Sequence, residues 1–443
     1  MANTQLQKTP TNTNSRQKFT FSFWLKRSKL SSEQCVWTTR LNSSNNTLFR
    51  FNANDTFTFK GAKSGSDAMN LISNALFRDT SGWYNVVIAV DTTQLTDTNR
   101  VKIYVNGVQE TSFATATYPS QNLSLEINEA GNQECLIGSE NNQNYFDGSM
   151  SYFAFVSETQ ELPGIFGETD STTGEWKIKT TITPSVAWGT NGFLILVNGN
   201  SLTDESTNSN NFALGGGTLT KTEDCPSNVF STINVLYNQT TGQGVTVTFG
   251  NNLVYYGSDS SRSCIGSTSP SSGKYYYEAK VFDNTNLVLG IVNLAWGNLN
   301  GASGYAFHDD ALNFGYDLSG QKTSGGTATA FGSAMSNNDI FMCAMDLDNQ
   351  KLYFGLNGTW QGSGDPTSGA TGTGSAFNLA SGANYAAACR LRNGTQVGFN
   401  FGNGYYSSSS QVSSAGTNAS GIGIFEYDVP NGYTALSTKG LNL

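Results

Sequence analysis

The chain is predicted to be all-β, with two antiparallel β-sandwiches joined by an irregular connector. Three observations predict this. Apolar and polar residues alternate with period two in both halves, as strands with one buried face require. Turn formers dominate the composition: 48 of 443 residues are Gly, Ser, Thr and Asn are abundant, and only 13% are charged. Short strands with many turns suit that balance better than helices. No long segment repeats its apolar residues every 3.6 positions. The length suits two or three domains with substantial cores.

Residues 1–15 form a polar arm of Thr, Asn, Gln and Lys. It has too few apolar residues to fold alone and is expected to dock into a partner. Residues 16–165 carry the first sandwich. Phe19-Thr20-Phe21-Ser22-Phe23-Trp24-Leu25 alternates as an early strand. Trp83-Tyr84-Asn85-Val86-Val87-Ile88-Ala89-Val90-Asp91 and Arg100-Val101-Lys102-Ile103-Tyr104-Val105 flank the polar loop 92–99, and the second ends at the Asn106-Gly107 turn. Tyr145-Phe146-Asp147-Gly148-Ser149-Met150 opens a further strand through Phe155. Phe21, Phe23, Trp83, Val87, Ile103 and Phe155 are expected inside.

Residues 166–225 read as a connector, and 226–443 as the second sandwich with a C-terminal extension. In the second, Ala344, Asp346 and Asp348 alternate with Met345, Leu347 and Asn349, and Lys351, Tyr353 and Gly355 with Leu352, Phe354 and Leu356. Asp348-Asn349-Gln350 is a turn, so the two runs form a hairpin, and Asn357-Gly358 marks the next turn. Tyr276, Leu289, Phe341, Leu352, Phe354 and Phe399 are expected inside.

These strings resemble known families. The first domain's W-Y-N-V, V-N-G and F-D-G-x-M strings, Trp83–Val86, Val105–Gly107 and Phe146–Met150, resemble the laminin-G/concanavalin-like jelly roll. The order Gly273-Lys274-Tyr275-Tyr276-Tyr277-Glu278, Leu289-Gly290-Ile291-Val292, Gly304-Tyr305-Ala306-Phe307, Lys351–Trp360 and Gln396–Gly402 resembles the SPRY domain, a β-sandwich used for binding. The connector strings, among them Trp188-Gly189-Thr190-Asn191-Gly192-Phe193, Asp204–Phe212 and Cys225-Pro226-Ser227-Asn228, together with Pro430-Asn431-Gly432-Tyr433-Thr434-Ala435-Leu436, look like structural proteins of tailed bacteriophages. That resemblance implies a virion protein. Its partners would be other virion structural proteins and a host cell-surface glycan or receptor. Phage fibres are often trimeric, which implies a homo-oligomer, although no coiled-coil heptad makes a trimer compulsory.

Catalytic patterns are poorly matched. Retaining glucanases need two carboxyls about 5 Å apart on a Glu-x-Asp-x-x-Glu string. The nearest match, Glu126-Ile127-Asn128-Glu129 with Glu134 beyond, has an amide in the centre and the wrong spacing. His308 is the single histidine; beside Asp309 and Asp310 it reads as a polar loop residue. No Gly-x-Ser-x-Gly turn or phosphate loop is present. No other cofactor is expected, and calcium is the ion considered: Asp91, Asp97 and Asp147 offer hard oxygen donors on loops. Ligand contact is expected from the loop aromatics Trp296, Tyr305, Tyr316 and Trp360, by stacking on sugars. The alternative is a capsid decoration or tail-assembly part that binds other virion subunits, and a glycan-degrading spike ranks third.

A net charge of −9 without a basic cluster argues against nucleic acid. No apolar run reaches the ~20 residues that span a bilayer. The polar N-terminus lacks a signal peptide's apolar core. The cysteines are widely spaced, so reduced thiols are expected in a protein assembled in the host cytoplasm for the virion.

Overall fold

The computed structural model describes residues 3–131, 134–185, 187–237, 244–283, 285–295 and 306–443. They form two compact units, Met1–Lys221 and Thr222–Leu443. Each is built from antiparallel sheets, and the helical segments among the described residues are short 3-10 turns.

In the first unit an eight-stranded sheet runs, in spatial order, Phe113–Thr117, Ser66–Leu76, Thr56–Lys63, Asn45–Phe51, Gln34–Asn42, Glu134–Ile137, Gln5–Lys8, Ala213–Gly216. A six-stranded sheet runs Phe193–Ile195, Gly148–Ser157, Lys18–Arg27, Tyr84–Asp91, Val101–Val105, Val108–Glu110. The alternation of Lys18–Arg27 sends Phe19, Phe21, Phe23 and Leu25 into the core between the sheets. There Phe21 meets Trp37 at 4.6 Å and Phe155 at 4.5 Å between ring centroids. The opposite face of this sheet is buried too: Val87, Ala89, Ala154, Val156 and Leu194 pack with Phe166 and Trp188.

Two expected boundaries are therefore corrected. The stretch 166–221 is part of the first unit, because its apolar residues cover that outer face and two of its strands extend the sheets. Phe193 pairs with Phe155, and Leu214 with Leu6. Trp176 also lies over the Asn106-Gly107 turn, where a Cβ on Gly107 would fall 2.5 Å from the indole. Within the arm 1–15, residues 5–8 are likewise built in. Gln5–Lys8 is paired on both sides, and Leu6 is buried. A strand between two neighbours is held by backbone pairing and needs little apolar content.

In the second unit the larger sheet follows the path Thr246–Thr248, Leu253–Tyr256, Thr395–Asn400, Lys274–Asp283, Ile340–Asp346, Lys351–Leu356, Thr359–Trp360. Thr434–Ala435 joins it in parallel at Tyr275–Tyr276. The smaller sheet runs Arg262–Ile265, Tyr385–Leu391, Leu287–Asn293, Phe314–Asp317, Gln321–Ser324, Thr327–Ala330. The predicted hairpin is present, with Asp346 opposite Lys351.

All twelve expected core residues are buried. The period-two reading assigned them to one interior per domain, yet Val87 and Tyr276 sit on outer faces. Tyr276, Met342, Ala344 and Tyr353 are covered by Phe425, Val429 and Tyr433 of the C-terminal segment. An alternating strand becomes buried on both sides when its own chain returns across it.

The described cysteines are free thiols; five are buried and Cys225 is half-buried. Cys264 and Cys389 face each other across paired strands. Burial raises the thiol pKa of Cys35, Cys343 and Cys389, which keeps them unreactive. Native alkylation is expected to modify Cys225 fast, and the others only after denaturation. Mass spectrometry that finds a disulfide in unreduced protein would contradict this.

Candidate functional site

The carboxylates nearest to a glucanase pattern are committed elsewhere. Glu126 and Glu129 both contact Arg16, each at 2.8 Å. Glu126 is buried. They lie outside any strand, so they tie the loop to the start of the sandwich instead of projecting from a sheet face.

His308 is on a 3-10 turn, Phe307–Asp309, not on a strand or open loop. Its ring packs edge-on to Phe307, and burial lowers its pKa. Asp309 approaches only to 3.9 Å. A nucleophile–base geometry is not present there.

The candidate calcium ligands are not gathered. Asp91 accepts from Thr93 N–H at 3.0 Å, Thr93 hydroxyl at 2.6 Å and Gln94 at 2.9 Å, and it pairs with Lys18 at 3.3 Å. Those bonds outweigh its desolvation and lower its pKa. Asp97 is exposed in a 3-10 turn, its carboxylate accepting from Thr98 N–H at 2.7 Å. Asp147 is half-buried, and burial raises its pKa. Among the described residues no three His, Cys, Asp or Glu side chains are grouped to hold a metal.

Of the four expected ligand aromatics, Trp296 and Tyr305 lie outside the described residues. Tyr316 is corrected from loop to core. It sits in Phe314–Asp317, fully buried, with its hydroxyl donating to Ser333 C=O. Trp360 is half-buried opposite Gly355, packed edge-on to Tyr276 at 6.3 Å. Gly355 leaves room for the indole: a Cβ there would lie 3.1 Å from it.

A cavity in the first unit, about 20 Å³, lies among Phe21, Trp37, Phe155, Phe193, Phe212 and Lys8. It has room for one water and is far too small for a sugar. Trp37 Nε1–H is buried without a protein partner, which such a water would satisfy.

The surface offers a different arrangement. Tyr255 is 41% exposed, the one aromatic that is exposed rather than half-buried or buried among the described residues. Its strand, Leu253–Tyr256, turns Val254 and Tyr256 inward and Tyr255 outward. Cross-strand partners share a face. Thr246 pairs with Tyr255, Tyr255 with Gln396, and Gln396 with Asp283. The row thus holds a hydroxyl, an aromatic ring, an amide and a carboxylate. Thr246 and Asp283 are exposed and Gln396 half-exposed. Ring plus amide and acid is the chemistry that stacks on a sugar face and hydrogen-bonds its hydroxyls. Sequence reasoning passed over Tyr255. Its signal was the doublet Tyr255-Tyr256 after Leu253-Val254, in which only one tyrosine can face inward.

The sheet that carries this row is braced by Glu278. Its carboxylate is fully buried. It accepts from Tyr276 hydroxyl, Glu426 N–H and Tyr427 N–H, each at 2.9 Å, and from Tyr406 hydroxyl. Desolvation raises its pKa against the pull of these donors. The pattern Tyr277-Glu278-Ala279 hinted at it, since a charge in an apolar strand requires partners.

Two antiparallel β-sandwiches are thus the class that the fold defines. Residues 2–160 match the family described as the concanavalin A-like lectin/glucanases superfamily, in its laminin-G form. Residues 274–404 match the SPRY domain. The chain carries one domain of each kind. No curated protein matches it in sequence. Among solved structures, the SPRY domain of human HERC1 is 17% identical over 35% of this chain and 91% of that chain, with a TM-score of 0.29. The heptameric SAP-like pentraxin from Limulus polyphemus is 12% identical over 36% and 71%, with a TM-score of 0.27. No ligand or partner transfers from likenesses at that level.

Proposed function

We propose that the chain is a non-enzymatic attachment protein, a structural component of a tailed-phage virion whose second sandwich contacts a host-surface glycan. The row Thr246, Tyr255, Gln396 and Asp283 carries the glycan part of this reading. The Arg16-bound state of Glu126 and Glu129 supports binding without turnover. The virion part rests on the connector and C-terminal strings described above. A capsid or tail-assembly role would use the same sandwiches toward other virion subunits.

Binding of the full chain to host cells and to a glycan array tests the reading. Tyr255→Ala is expected to weaken binding roughly tenfold, the loss of about 1–2 kcal/mol of stacking. Trp296→Ala is expected to add a comparable loss. Glu126→Gln and Glu129→Gln are expected to leave binding unchanged. Glycan cleavage that either Gln variant abolishes would replace this reading with an enzyme. Normal host binding by Tyr255→Ala would remove the glycan row.

A further inference from the structure

Two of the strands that end their sheets leave one edge without a partner strand among the described residues. Phe113–Thr117 pairs only with Ser66–Leu76, and Thr327–Ala330 only with Gln321–Ser324. Open edges are normally blunted by charge, Pro, a bulge, short length or a covering segment. Neither of these strands contains a charged residue or Pro, although Phe113–Thr117 carries a bulge and Thr327–Ala330 is short.

The second strand has a further peculiarity. All of Thr327–Ala330 is exposed, so the strand buries no side chain, although ordering a residue's backbone costs ~1–2 kcal/mol. It is nonetheless held in place. The turn at Gly325-Gly326, with φ of 57° and 69°, is pinned by N–H bonds to Asp310 and His308 carbonyls, both 3.2 Å.

The two segments are the reverse of one another: Phe113-Ala114-Thr115-Ala116-Thr117 and Thr327-Ala328-Thr329-Ala330-Phe331. Antiparallel pairing sets like against like, Thr115 opposite Thr329 and Ala116 opposite Ala328. Thr–Thr and aromatic pairs are favourable across strands. The backbone phase agrees. Phe331 N–H donates inward to Gly320 C=O at 3.1 Å, so Ala328 and Ala330 turn their amides to the open side. On the other strand, Asn74 N–H reaches Ser112 C=O at 3.0 Å, and a bulge lies between Phe113 and Thr115. The extra residue shifts the phase, so Ala116 also faces outward.

We propose that Phe113–Thr117 of one copy adds, antiparallel, to Thr327–Ala330 of a second copy, with Thr115 opposite Thr329. Each chain then offers both halves of a head-to-tail contact, which closes into a ring or continues as a filament. This goes beyond the attachment reading and does not depend on it.

The test mixes Thr115→Cys chains with Thr329→Cys chains under mild oxidation. That register makes the pair non-hydrogen-bonded, with Cα atoms about 4.5 Å apart, inside the ~4.4–6.8 Å that a disulfide spans. A covalent dimer bonded 115–329, mapped by mass spectrometry, is expected in the mixture and in neither variant alone. The parent chain is expected to sediment above monomer mass as concentration rises, and Ala328→Lys to lose that species with an unchanged circular dichroism spectrum. Absence of the 115–329 bond while both variants are folded would overturn the proposal. So would a monomeric parent at every concentration, or an intrachain bond in the dilute Thr115→Cys/Thr329→Cys double variant.

Discussion

Glu278→Ala is expected to destabilise the second unit by about 3–5 kcal/mol, because it strands buried donors rather than deleting one contact. Tyr276 and Tyr406 hydroxyls and the N–H groups of Glu426 and Tyr427 all converge on that carboxylate. The two N–H groups belong to the segment that covers Tyr276, Met342 and Tyr353. Loss of the acceptor therefore loosens an apolar layer as well as a polar centre. A urea midpoint shift, with new proteolytic cleavage near Glu426, is the expected readout; an unchanged midpoint would refute the hub.

The same residue has a pH signature. Its pKa is raised in the folded state by burial, so the folded protein binds the proton more tightly than the unfolded chain does. Its contribution is fully present below the ordinary glutamate value and is lost as pH rises through the raised folded value. Glu278→Gln should remove that decline from the stability–pH curve. Parallel curves for the two proteins would contradict the assignment.

Asp55→Ala is expected to cost the first unit a comparable ~3–5 kcal/mol, since it leaves a guanidinium buried without its counter-charge. Arg27 and Asp55 side chains are 0% and 2% exposed, with Nη2 3.1 Å from Oδ1. The contact is a charge pair rather than a well-aligned hydrogen bond; Arg27 Nη1 donates instead to Phe77 C=O at 2.6 Å. The guanidinium also lies 4.4 Å from the Phe51 ring centre, so it has no route to water. Arg78, a second cationic partner of Asp55, is 54% exposed, and Arg78→Ala should cost only ~0–1 kcal/mol. Replacing both charges, Arg27→Met with Asp55→Leu, should recover much of the loss. A double variant as unstable as Asp55→Ala would show that the pair does not act as charges.

The sandwich interiors were legible because period-two strings such as Phe19–Leu25 and Lys351–Leu356 state which side faces in. What was not legible is what returns over the outer faces. Nothing local in Phe166 or Trp188 says that they pack on the outer face with Val87 and Ala154, and Gln5–Lys8 looks unfoldable until its neighbours on both sides are known. One candidate site residue was misplaced for the same reason. Tyr316 was read as a loop aromatic, but only the pairing of Phe314–Asp317 with Leu287–Asn293 carries it inside. Tyr255 emerges only when registers place Thr246, Gln396 and Asp283 beside it. Asp91 resembled a metal ligand from composition, and its turn partners explain it without one.

The early strand Gln5–Lys8 lies between Glu134–Ile137 and Ala213–Gly216. During synthesis this imposes a delay. Once Gln5–Lys8 has left the ribosome, about two hundred more residues must follow before its second neighbour exists. At ~5–20 residues per second that is on the order of ten seconds or longer. For that interval the nascent chain presents an unpaired strand and an uncovered apolar sheet face. Speed of elongation, and whatever shelters the chain meanwhile, thus become conditions for reaching the native state, and Ala213–Gly216 acts as the clasp that ends the exposure.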